Sequence, residues 1–341
     1  MGKFGRLTIG IISRNGQPFI EDCLSSFSSG LVQLLSNFDS IEFILVDSDS
    51  TDNTLKVMLE FSATVQHGSN NVKTEVYLIE GHCNAAIARN VILNNCTNEL
   101  LFLCDGDIVI NGEFLVAAAD KIVSGEADAV IGDLSEKWYD SEYNFYKSIP
   151  ARRRITKEKY MRIAGSVMLL AKRVVTSGLR YDENIRIKED NDFSLRVSDS
   201  FTILAIPLIS GTHITQPYFS GERFKAFFKG NYHKPLGVLI RKNILSMDKL
   251  FQIVKTNKGV MVGFVYMVIF PFTLLLYFKH IYTPLLLISF VFLVDLFRQL
   301  KKRKIRTFFM YRFISPVMVI QGFFSSPKSD KHKYSVRLVK K

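Results

Sequence analysis

Leu100-Leu101-Phe102-Leu103-Cys104-Asp105-Gly106-Asp107-Ile108-Val109-Ile110 is the stretch on which the reading of this chain turns. An apolar run stops abruptly at Asp-Gly-Asp, and a second apolar run follows. The first run is short and bounded, which is the pattern of a buried strand. Two carboxylates at its end cannot enter a core unpaired, because burying a bare charge is very unfavourable. They are expected to face a cleft at the strand's C-terminal end, where open α/β sheets take their ligands. Oxygen ligands placed there suit a hard divalent ion, Mg or Mn, which would bridge to a diphosphate. A solvated Asp-Gly turn is the plainer reading, and D-x-D alone is a weak motif.

Outward from that stretch, the same arrangement recurs. Leu7 to Ser13 reads as a buried strand ending in Arg14-Asn15-Gly16, with a helical pattern opening at Pro18. Ile41 to Val46 reads as a second strand, followed at once by Asp47-Ser48-Asp49-Ser50-Thr51-Asp52 and a helix over Leu55 to Phe61. That polar run could simply cap the helix. Glu75 to Ile79 reads as a third strand, and His82 to Asn95 contains a helix with Ala85, Ala86, Ala88 and Arg89. Strands alternating with helices predict an α/β fold with a mostly parallel sheet flanked by helices and a crevice at the strand ends. Each strand end delivers polar side chains: Asn15, then Asp47 and Asp49, then Asp105 and Asp107.

Charge is unevenly spread along the 341 residues, whose net charge is +12. Residues 1–218 carry 21 Lys and Arg against 28 Asp and Glu, whereas residues 300–341 carry 12 against 1. The basic residues flank apolar runs, which favours an anionic membrane surface and argues against nucleic acid. Cys23, Cys83, Cys96 and Cys104 form no C-x-x-C pair and read as reduced thiols, without a zinc site or disulfide framework. No apolar signal-peptide core precedes Thr8.

Five blocks in order resemble the inverting nucleotide-diphospho-sugar glycosyltransferases of family 2, which have the GT-A fold. They are Thr8 to Asn15 (TIGIISRN), Leu45 to Thr54 (LVDSDSTDNT), Ala88-Arg89-Asn90, Cys104-Asp105-Gly106-Asp107, and Lys188 to Arg196 (KEDNDFSLR). The resemblance covers about residues 5 to 215. It implies that Asp47 holds the nucleotide base or ribose, with Asn15 and Asp49 beside it, and that Arg89 lies near the diphosphate. Asp105 and Asp107 match the D-x-D acids, both expected at Mg or Mn, with Asp107 the more direct ligand of the two. Asp190 matches the catalytic base, and Glu189 beside it is expected, with Asp105, to contact substrate. His213, in Gly211 to Thr215, resembles a third metal contact; a structural histidine is the alternative. The plainer reading of Arg89 is a surface ion pair, and that of Asp192 is helix capping. Residues 133–164 lack a strand period; in the family this region shapes the acceptor side. Its Arg152, Arg153 and Arg154 could grip a phosphate, or form a solvated charge run.

The C-terminal third reads as membrane-associated. Four segments are expected: a catalytic domain over 1–218, amphipathic interface helices over 219–258, a transmembrane hairpin over 259–299 (spans 259–278 and 281–297), and a basic interfacial helix with a flexible tail over 300–341. Phe308 to Phe324 is apolar but interrupted by Arg312 and Pro316, so it is expected to lie at the interface or re-enter. Lys255 and Lys258 before the hairpin, and Lys301 to Lys304 after it, predict a multi-pass protein with its catalytic domain on the cytoplasmic face.

The expected activity is therefore metal-dependent, inverting transfer of a sugar from a nucleotide-sugar donor to a lipid-linked glycan or glycolipid at the membrane. A polyprenyl phosphate is the alternative acceptor. A catalytically silent membrane-bound sugar-nucleotide sensor or assembly subunit is a different class of protein with the same binding residues. A processive synthase would require a Q-x-x-R-W block, which the sequence lacks.

Overall fold

A computed structural model describes residues 3–140, 142–216, 233–301, 305–325 and 334–341, with the backbone alone at 306 and 307. The chain divides into two compact units, Met1–Pro217 with Lys328–Lys341, and Tyr218–Pro327.

In the first unit, β1 (Arg6–Ser13), β2 (Ser40–Asp47), β3 (Val72–Gly81) and β4 (Leu100–Asp105) alternate with α1 (Phe19–Asn37), α2 (Thr54–Gly68) and α3 (Ala85–Asn95). These four strands are parallel and lie in the order β3-β2-β1-β4. Their near-continuous apolar runs follow from burial on both faces. Leu7, Ile9, Phe43 and Phe102 pack with residues of α1 and α2, while Ile44, Val46, Leu101 and Leu103 pack with residues of α3.

The chain continues through β5 (Ile108–Ile110), α4 (Gly112–Val123), β6 (Ala129–Tyr139), β7 (Phe145–Ile149), β8 (Lys159–Tyr160), β9 (Met168–Ala171), α5 (Lys172–Val175), α6 (Glu189–Val197) and β10 (Ile203–Thr215). Here the expectation of a mostly parallel sheet needs correction, because the sheet is mixed. β9 runs antiparallel to both β4 and β6, and β5 is antiparallel to β10. Parallel neighbours need a long crossover, usually helical. Such a helix separates each successive pair from β1 to β4, and none lies between β6 and β9.

A second correction concerns the C-terminus, expected to be a flexible tail. Tyr334–Lys340 is a strand, β11, paired antiparallel with the edge strand β3. Its alternation of Val336 and Leu338 with Arg337 is a strand period hidden among lysines. Arg337 pairs with Glu80 at 3.2 Å, and Lys341 with Glu75 at 3.3 Å. All four cysteines are free thiols.

The second unit is helical: α7 (Lys234–Lys242), α8 (Met247–Thr256), α9 (Lys258–Tyr277), α10 (Thr283–Lys301), α11 (Ile305–Phe309), a π turn (Met310–Ile314) and α12 (Ser315–Phe324). α9 and α10 correspond to the two expected spans and are long and apolar enough to cross a membrane, by length and composition. Asp295 in α10 is paired with Arg312 of the π turn at 2.8 Å, so neither charge is left alone among apolar neighbours. The expected amphipathic stretch from 219 to 232 and the basic run 302–304 lie outside the described residues.

Candidate active site

The parallel register places Asp47 opposite Ser13, and Asp105 opposite Ile12, so both carboxylates lie at the same C-terminal edge, on either side of β1. Two strand spacings separate them, about 10 Å. The two loops at this edge are laced together. Asn15 donates its backbone N–H to Ser50 Oγ at 2.9 Å, and its side-chain oxygen accepts from Thr51 N at 2.8 Å. Asn15 and Asp49 both adopt positive φ, 49° and 58°, which Asn and Asp tolerate better than most side chains. Asp52, not Asp47 or Asp49, forms the turn that opens α2, accepting from Thr54 N at 2.9 Å.

That leaves Asp47 with an unmet need. It is fully buried, its Oδ1 accepts from Ser50 N at 3.0 Å, and its Oδ2 has no hydrogen-bond partner among the described residues. Burial pushes its carboxyl above the usual range, and the Ser50 hydrogen bonds oppose this only in part. A buried, unpartnered carboxylate oxygen is an acceptor that the N–H of a ligand could satisfy.

Asp105 and Asp107 have separate partners. Asp105 Oδ1 accepts from Arg89 Nη2 at 2.6 Å, and Oδ2 from Ser166 Oγ at 2.7 Å. Arg89 is only 3% exposed, and its Nη1 reaches Glu189 Oε1 at 2.6 Å. It is thus a buried bridge between the end of β4 and the start of α6, rather than a surface ion pair or a free cation for a diphosphate. Burial alone would lower the Arg89 pKa; Asp105 and Glu189 outweigh it and raise it well above its ordinary value. At Asp105 burial is likewise outweighed, by Arg89 and Ser166, and the pKa falls. At Glu189 burial wins and the pKa rises. Gly106 lets β4 come this close to β1 and α1: a Cβ there would sit 2.8 Å from Ile20 Cδ1 and 2.9 Å from Ser13 Cβ.

Asp107 Oδ2 lies 3.1 Å from His213 Nε2, and Asp107 O accepts from Ile214 N at 2.9 Å. Burial would lower the His213 pKa, but the carboxylates of Asp107 and Glu136 on either side of the ring outweigh it and push it up to about 9. Asp107 and His213 therefore converge, while Asp105 is occupied elsewhere.

The acids at the start of α6 are held from several sides. Tyr181 stacks on Phe193 of this helix at 4.0 Å, and Arg89 lies 5.5 Å over the Tyr181 ring. Asn90 accepts from Tyr181 N at 2.8 Å and donates to Tyr181 O at 3.0 Å. Asp190 is half-buried, and its Oδ1 accepts from Asn191 N at 2.8 Å. Asp192 is buried and paired with Arg196 one turn on at 2.7 Å.

Arg152 and Arg153 are both exposed. Arg152 Nε lies 3.4 Å from Glu136 Oε1. Arg153 lies over Gly165, where a Cβ would come within 3.0 Å of its Nη2. Asp133 Oδ1 accepts from Arg153 N at 2.7 Å, and its Oδ2 from Ile155 N at 3.1 Å. Sequence reasoning missed Asp133, Glu136 and Ser166. Asp133 had a legible signal, an apolar run ending in Asp like those at Asp47 and Asp105. Glu136 and Ser166 had none, since their partners are distant in sequence.

Among the described residues no group of three or more His, Cys, Asp and Glu side chains is arranged to hold a metal unaided. One carboxylate and one imidazole, completed by diphosphate oxygens and water, is nonetheless a donor set that Mg or Mn accepts. The Asp107–His213 pair fits that set.

Residues 8–171 match the family described as glycosyl transferase family 2. The glycosyltransferase GlyA of Streptococcus pneumoniae serotype 4 is 25% identical over 141 residues, 41% of this chain and 18% of that protein. The chain thus spans under a fifth of the length of this curated relative. The fold is similar to that of S. aureus TarS residues 1–349 in complex with UDP-GlcNAc, with a TM-score of 0.51 and 18% identity over 71% of this chain and 67% of that one.

Proposed function

We propose that this chain, whose residues 8–171 match glycosyl transferase family 2, moves a sugar, with inversion, from a nucleoside-diphosphate donor to an acceptor held at a membrane. One observation carries the reading. The buried Arg89 bridge ties Asp105 to Glu189, and so brings the Asp-Gly-Asp of β4 and the Glu-Asp of α6 to one edge of the sheet.

Asp47 would take the base through the imide N–H of a uracil, for which a buried acceptor oxygen is suited; the TarS complex with UDP-GlcNAc supports a UDP-sugar. Asp107 and His213 would hold Mg or Mn, which supplies charge neutralisation to the departing diphosphate. Asp190 accepts the proton of an acceptor hydroxyl as its oxygen attacks the anomeric carbon from the face opposite the leaving group, which inverts that centre. The bond to the diphosphate breaks as the new glycosidic bond forms. Asp105, Arg89 and Glu189, bound to one another, hold this geometry.

The acceptor class is inferred from α9 and α10 and from the basic segments around them: a lipid-linked glycan or glycolipid at the cytoplasmic face. The exposed Arg152 and Arg153 favour a second acceptor, a polyprenyl phosphate, whose charge they would meet. Such an acceptor needs no base, so it predicts that loss of the Asp190 carboxylate is tolerated.

Titration calorimetry with UDP, with and without Mn, tests the donor site. The wild-type chain should bind UDP more tightly with Mn, and Asp107→Ala should bind it equally with or without the ion. A Mn enhancement that survives Asp107→Ala would overturn the metal assignment. Release of UDP from a UDP-sugar by the wild-type chain, even without an acceptor, would exclude the silent-sensor alternative.

A further inference from the structure

The surroundings of His213 contain a carboxylate that the reaction as described does not use. In the sheet, β5, β10 and β6 stand side by side, and the register sets Ile108, His213 and Glu136 in one row. The imidazole therefore lies between two acids. Asp107 Oδ2 is 3.1 Å from Nε2, and Glu136 Oε1 is 3.9 Å from Nδ1. Glu136 is 3% exposed and makes two other contacts: Trp138 Nε1 donates to Oε2 at 2.8 Å, and Arg152 Nε stands 3.4 Å from Oε1.

Burying a carboxylate is unfavourable unless it is compensated. One indole N–H and an exposed arginine are modest compensation for it. His213 Nδ1 is buried and lacks a hydrogen-bond partner within bonding distance among the described residues. The two unmet needs face each other across 3.9 Å. Histidines that bind metals commonly donate their second ring N–H to a carboxylate or carbonyl, which fixes the tautomer and the ring plane.

We propose that Glu136 is a positioning residue, whose carboxylate accepts the Nδ1–H of His213 and thereby presents the Nε2 lone pair, beside Asp107, to the divalent cation. The proposal rests on the reading of Asp107 and His213 as the cation's protein ligands. It gives β6 a function in donor binding, and ties the segment carrying Trp138 and Arg152 to the metal position. If Glu136 merely neutralised Arg152 and anchored Trp138, its loss would cost stability and leave the cation's affinity alone.

The experiment uses the full chain in detergent, with Mn affinity read from the free-ion EPR signal and the His213 tautomer from imidazole ¹⁵N shifts of the Mn-free chain above its pKa of about 9, where the ring is neutral. Glu136→Ala should weaken Mn binding about 10- to 100-fold and mix the His213 tautomers. Glu136→Gln is isosteric and keeps one acceptor oxygen of the same reach for Nδ1–H, giving up the bond from Trp138 Nε1, so it should recover most of that loss in Mn affinity. His213→Ala and Asp107→Ala are the controls. If both controls lose Mn and the two Glu136 variants bind it within twofold of wild type, this proposal fails while the metal reading stands. If the controls also bind Mn unchanged, the metal reading itself is wrong, and the proposal falls with it.

Discussion

Asp190→Asn is expected to lower the turnover rate by about 10²- to 10⁴-fold, the range that a positioned general base contributes. Donor affinity should stay as it is, because Asp190 is assigned to the acceptor side of the anomeric carbon. Asn is isosteric and keeps an oxygen to accept from Asn191 N, which Asp190 does at 2.8 Å, so the start of α6 should survive the change. Steady-state release of UDP from a UDP-sugar, measured with a membrane extract as acceptor source, reads the effect. Retention of full turnover would remove Asp190 as base and favour an acceptor already ionised, the polyprenyl phosphate.

Arg89→Met should be the most damaging single change to the catalytic unit. Methionine has about the right length and no charge, so both Asp105 and Glu189 lose their shared cation within a buried cluster. Removing one partner from such a cluster costs about 3–5 kcal/mol. For a unit of this size that corresponds to a fall in Tm of about 6–20 °C, readable by differential scanning calorimetry. The sign of its pH dependence also follows. In the variant each carboxyl is buried without its counter-charge, so its folded pKa lies above its unfolded value, and protonation favours the native state. The deficit should therefore shrink as pH falls towards about 5. Adding Glu189→Gln to Arg89→Met should restore part of the loss, because one of the two stranded charges is gone. A Tm within 2 °C of wild type, on the order of the shift expected for a surface pair, would show that the bridge is not a structural necessity.

The identity of the fold was written in short-range features. Apolar runs of strand length, each ending in Asp or Asn and followed by a helical pattern, fixed β1 to β4 and the edge on which their polar residues emerge. The two long apolar helices were legible for the same reason, since length and composition are local properties. Direction beyond β4 was not legible. Whether β9 runs parallel or antiparallel depends on the path of residues 133–164, which has no period of its own. β11 was obscured because its alternation of apolar and polar residues is interleaved with lysines, and its partner β3 lies more than 250 residues earlier.

At the site, the sequence by itself determined which acids stand at strand and helix ends: Asp47, Asp105, Asp107 and Asp190. Tertiary structure alone decided how each is partnered. Asp105 and Asp107 are two residues apart in sequence, yet one is bound by Arg89 and Ser166 and the other faces His213. Arg89 looks like any helical arginine until α6 arrives across 100 residues and buries it between two carboxylates. Glu136 meets His213 only because β6 and β10 are neighbours in register. The physical reason is common to all three. An ionisable group's role is set by what replaces its water, and that replacement comes from segments far away along the chain.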